Sequence, residues 1–144
     1  MSLVAIRAKI KTKLEARVSV DDSQPLVAVY QEHRTDLEGF PSVTFEPSDV
    51  ISDYETNTQN TRKYVFRVVI HQEMEKIGRG KALDILAGIV DTLMDDFDKD
   101  DTLGGSANLG VRAVPTVWGV YDEGTGKVMY CELKIEAQNC VSII

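Results

Sequence analysis

The sequence predicts an α+β domain: an antiparallel sheet with helices packed on one face. Three observations predict it. One long stretch centred on Leu86 carries apolar residues at three- and four-residue spacing. Two other stretches alternate apolar and polar residues, as strands with one buried side do. Helical and extended patterns are segregated along the chain instead of alternating, which disfavours a parallel β/α arrangement.

Leu3, Ile6, Ile10 and Leu14 define an opening helix from Ser2 to Arg17, with lysines between the apolar positions. Asp21, Asp22, Ser23 and Pro25 break it. "PLVAVYQEHR" follows as a strand, and its run Leu26 to Tyr30 is apolar throughout. A turn at Gly39 to Pro41 leads to the short extended piece "SVTFE". Pro47 to Thr61, "PSDVISDYETNTQNT", is polar and without period, so residues 47–61 are expected to form a mobile loop. Val50, Ile51 and Tyr54 give that loop its apolar content and are its expected partner-contacting residues.

"RKYVFRVVIHQEME" is the clearest strand, with Tyr64, Phe66, Val68 and Ile70 on a core face and Arg67, His71 and Glu73 on a mixed one. Gly78 and Gly80 reset the backbone before an amphipathic helix from Lys81 to Asp98. Its stripe is Leu83, Leu86, Ile89, Val90, Leu93, Met94 and Phe97. Two final strands join through "DEGTGK". In the second, Met129, Cys131, Leu133 and Ile135 share the buried face. Pro115 cannot donate to a ladder, which marks the first as an edge strand or bulged at that point.

The chain has 144 residues, enough for one domain spanning 1–144 and one core. A net charge of −7 and a pI near 4.8 exclude a general duplex-binding surface, which needs clustered cations. The charge is uneven, because Arg7, Lys9, Lys11, Lys13 and Arg17 crowd the first helix. Cys131 and Cys140 are too few and too scattered for a disulfide framework or a zinc site. The N-terminal stretch has no apolar segment followed by small residues, so no signal peptide is expected, and no apolar run has bilayer-spanning length. The expected setting is cytoplasmic production with free thiols and no membrane.

Asp95, Asp96, Asp98, Asp100 and Asp101 gather at the end of the long helix, where negative charge opposes the macrodipole. Asp96, Asp98 and Asp100 fit the first, third and fifth positions of a calcium loop. Asp101 then stands where glycine is needed, and Ala107 where a bidentate glutamate is needed. A monomeric cation-binding module at Asp96–Asp101 is thus the weaker alternative. Two readings of the cluster remain: a hydrated helix end, or an electrostatic contact. For the contact, Lys9, Lys11 and Lys13 are expected to approach Asp95, Asp96 and Asp98 of a neighbouring subunit, a heterologous pairing suited to rings. No metal or other cofactor is expected. His33 and His71 lie outside any ligand spacing, no serine sits in a nucleophile elbow, and "GRGKA" lacks the residues of a phosphate loop, so no enzyme is expected. Trp118 and Tyr121 fit either packing or an interface.

From "RKYVFRVVIHQE" through "KALDILAGIVDTLMDDFDKDDTLGG" to the closing hairpin, the chain resembles the tail terminator or tail completion proteins of long-tailed, siphovirus-like phages. The likeness runs from Leu3 to Ile143 and lies in the order and spacing of these pieces. It implies a structural protein that assembles as a homo-hexameric ring on the head-proximal end of the tail tube. There it stops tube polymerisation and presents the head-joining surface. The implied partners are further copies of the chain, the tail tube protein and a head completion or connector protein, with DNA passing through an acidic lumen without specific binding. The implied place is the virion tail, after assembly in the host cytoplasm. A head-side connector ring shares the same gross features and is the alternative structural role.

Overall fold

In the computed structural model, the described residues are 3–18, 26–32, 37, 39–54, 59–100, 103, 110–123 and 126–142. The elements are helix α1 (Leu3–Glu15), strands β1 (Ala28–Tyr30), β2 (Ser42–Tyr54) and β3 (Gln59–Glu73), helix α2 (Arg79–Lys99), and strands β4 (Gly110–Glu123) and β5 (Gly126–Ser142). They build a five-stranded sheet in the order β1-β2-β3-β5-β4 with both helices on one face, an α+β fold.

The sheet is mixed and not wholly antiparallel. β1 pairs in parallel with β2, Val29 facing Val43, while the other three pairings are antiparallel. The apolar run at Leu26 to Tyr30 marks a strand but carries no information about its direction.

A second correction concerns residues 47–61. Residues 47–54 continue β2 and 59–61 begin β3, so most of the expected loop is a long β-hairpin; 55–58 lie outside the described residues. Asp49 pairs with Val65, Val50 with Tyr64 and Tyr54 with Asn60. A register shift between Pro47 and Asp49 takes up the proline within the ladder. Pairing with the strongly patterned β3 imposes the extended state on a segment whose own sequence does not encode it.

Strand alternation sorts the side chains. Val43 and Phe45 of β2, Tyr64, Phe66, Val68 and Ile70 of β3, and Met129, Cys131, Leu133, Ile135 and Ala137 of β5 face the helices and are buried. Ile6, Ile10 and Leu14 of α1 and Ala82, Leu86, Ile89, Val90, Leu93 and Phe97 of α2 cover them. Fully buried aromatics such as Phe97 stabilise this layer most, each by about 3–5 kcal/mol judged against alanine. Leu83, at the start of the α2 stripe, is instead 45% exposed. Gly78 caps α2 with φ 87°, a left-handed conformation that glycine adopts without strain. No helix among the described residues is long and apolar enough to cross a membrane.

Candidate functional site

The acidic end of α2 meets the basic end of α1 inside the same chain. The turn after α1 is closed by a hydrogen bond from the Arg17 amide to the Leu14 carbonyl, which brings the guanidinium beside α2. Arg17 Nε donates to Asp96 Oδ2 at 2.7 Å and Nη2 donates to Oδ1 at 2.6 Å, a two-pronged charge-assisted contact. The hydrogen bond to Asp96 raises the Arg17 pKa above its ordinary value against a smaller opposing effect of burial. Lys13 Nζ donates to the Asp96 backbone carbonyl at 3.1 Å, pairs with Asp100 at 3.3 Å, and stands 5.9 Å from the Phe97 ring centroid. That carbonyl belongs to the last turn of α2, at the negative end of the helix dipole, so the ammonium also answers that dipole.

Lys13 and Asp96, two of the residues expected at a subunit contact, thus meet each other within the chain. Lys11 pairs with Glu15 of its own helix at 3.7 Å. Lys9, Asp95 and Asp98 are exposed. A calcium loop starting at Asp96 would have to displace Arg17 from Asp96 and Lys13 from Asp100; Asp101 lies outside the described residues. Among the described residues no group of three or more His, Cys, Asp or Glu side chains is placed to hold a metal ion. Arg17 and Asp100 lie four residues beyond Lys13 and Asp96, just past the ends of α1 and α2, and that spacing is the signal that would have found them.

Of the expected partner-contacting residues, Val50 is 47% exposed in β2, with Ile51 and Tyr54 further along the same strand.

The sheet face away from the helices is charged along one half and aromatic along the other. Arg67 Nε donates to Glu132 Oε1 at 2.5 Å and Lys63 pairs with Glu136 at 3.3 Å. With Ser48, Asp49 and Lys134 they line a shallow groove of about 470 Å³. Further along, His71 Nε2 lies 3.0 Å from Thr44 Oγ1, and His71 Nδ1 lies 2.8 Å from the Tyr121 hydroxyl. The Tyr121 ring meets His71 edge-on and tilts against Tyr130. Thr44 and His71 set a hydroxyl beside an imidazole, and each is only 1% exposed. The sequence placed His71 on the mixed face; its burial comes from the neighbours that folding supplies.

The third surface is the β4 edge. Val117, Trp118 and Val120 are 42%, 45% and 39% exposed, and Trp118 and Val120 line a shallow depression with Arg79 and Leu83 of α2. The register shifts between Pro115 and Val117, where the proline lacks a donor. Compared with known proteins, the chain matches no family model and no curated protein.

Proposed function

We propose that this chain is a ring-forming structural subunit of a phage tail, seated at the head-proximal end of the tail tube, where it stops tube growth and joins the head. The observation that carries the reading is the β4 edge: a long edge strand that leaves Val117, Trp118 and Val120 in solvent. Exposed, unpaired, apolar edges are association surfaces, and native proteins that stay single blunt them. The likeness of the sequence to tail terminators supplies the kind of assembly. The net charge of −7 suits a lumen through which DNA slides without sticking.

Electron microscopy of tail tubes polymerised with and without the purified protein tests the proposal. Tubes capped at one end and of uniform length are the expected result. Tubes that grow to the same length distribution and carry no added density would overturn it.

A further inference from the structure

Among the described residues the sheet has two edges, the second of them covered just before β1 by Arg17 and Val18, where the Leu26 amide donates to the Arg17 carbonyl. β4 forms one. The other is stepped, because β1 covers only Ser42, Val43 and Thr44 of β2, and Pro47, Ser48, Asp49 and Val50 beyond it are exposed.

Strand direction limits how two copies can meet. β1, β2 and β5 run one way, β3 and β4 the other. A rotation that keeps strand direction, as in a cyclic ring, therefore sets β4 of one copy antiparallel to β1 of the next.

Register then fixes what faces what. Followed across the sheet, the row through Trp118 continues to Cys131, Ile70, Val43 and Val29. The row through Arg112 continues to Glu136, Val65 and Asp49. The exposed Val117–Trp118 segment is therefore level with β1, which is preceded by Val27 at 47% exposure. Arg112 is level with Asp49 on the same sheet face. Both are exposed, and neither has an ion-pair partner among the described residues; Asp49 Oδ1 accepts a hydrogen bond from the Val50 amide.

We infer that β4 of one copy adds onto β1 of a second copy, with Trp118 and Val120 against Val27 and Val29 on the helix-covered face, and Arg112 paired with Asp49 across the step. The step is one strand wide, so β4 stands about 10 Å from the neighbour's β2, a gap that an arginine and an aspartate bridge from its two sides. Pro115 and the bulge beside it confine ladder pairing to the part of β4 level with β1. The two contacting patches differ, so the interface is heterologous and self-propagating, the kind that closes rings. The contact stands on the edges and their charges; its role in a tail rests on the function proposed above.

Charge exchange tests it. Arg112→Glu and Asp49→Arg, each alone, are expected to weaken self-association about tenfold or more in sedimentation at low salt, because like charges then oppose. The double variant should recover assembly. Both side chains are exposed, so thermal unfolding of the variants should stay close to wild type and confirm that they fold. Assembly that ignores both single reversals would overturn the edge contact and leave a ring built through other surfaces. A wild-type chain that stays single at every concentration, with and without tail tubes, would overturn the contact and the ring together. Assembly that obeys the charge exchange yet never caps tubes would uphold the contact and remove the tail role.

Discussion

Arg17 grips Asp96 with two hydrogen bonds, 2.7 and 2.6 Å long, and so ties the turn after α1 to the last turns of α2. Arg17 is about one-third exposed and Asp96 15% exposed, which places the pair between a surface bridge and a buried one. A double-mutant cycle with Arg17→Ala and Asp96→Ala, followed by urea unfolding, should return a coupling of about 1 kcal/mol. Arg17→Lys should recover only part of it, since a lysine cannot reproduce the two-pronged geometry. Coupling near zero would mean that the pair adds nothing to what solvent and Lys13 already supply at the acidic helix end.

Gly119 stands opposite Tyr130 in the β4–β5 ladder, and a Cβ there would lie 2.7 Å from the tyrosine hydroxyl. The ring is not free to swing away at no cost, because it tilts against Tyr121, which in turn holds His71. Gly119→Ala should therefore destabilise the fold by about 1–2 kcal/mol through overpacking. In a Tyr130→Ala background the same change should be nearly neutral. Equal costs in both backgrounds would locate the strain in the backbone instead.

The Cys131 thiol is pushed up to about 12, first by burial and then by the nearby Glu132 carboxylate. Below pH 9.0, its ordinary value, the thiol is protonated folded and unfolded, and its full contribution to stability is present. As pH rises from 9.0 towards 12 the unfolded chain releases the proton and the folded chain does not, so stability falls through that window. Wild type and Cys131→Ala, compared by urea unfolding at pH 8 and pH 11, should differ less at the higher pH. A pH-independent difference would show that the buried thiol ionises as easily in the fold as outside it.

The core was legible wherever a pattern repeats with the period of its element. Leu86, Ile89, Val90, Leu93 and Phe97 on α2, and the alternating faces of β3 and β5, lie where their spacing puts them. Leu83 fits the same stripe yet is exposed, because it lies near the start of α2, beside the β4 edge, where Ala82 takes the fully buried position. The outer half of β2 was illegible since its extended state is imposed by β3 and not by its own residues. The parallel placement of β1 was hidden for a related reason: three residues carry too little pattern to encode a partner. The charge contact at the end of α2 was half legible. Sign and spacing pointed to Lys13 and Asp96, but whether the partner belongs to the same chain is decided by how α1 packs, which no local pattern states.

Trp118 is the sole tryptophan and sits on the open edge rather than in the core, so it reports assembly without reporting folding alone. At 45% exposure only part of its indole packs in a single chain, and Trp118→Ser should cost the fold about 1–2 kcal/mol. Large aromatics dominate an interface once desolvated, so the same substitution should weaken self-association by about 2 kcal/mol, or roughly thirtyfold. In the wild type, raising the concentration should shift tryptophan emission to the blue over the range in which sedimentation detects larger species. Emission that stays red while larger species form would place the assembly contact away from β4, and a strongly destabilised serine variant would make Trp118 a packing residue after all.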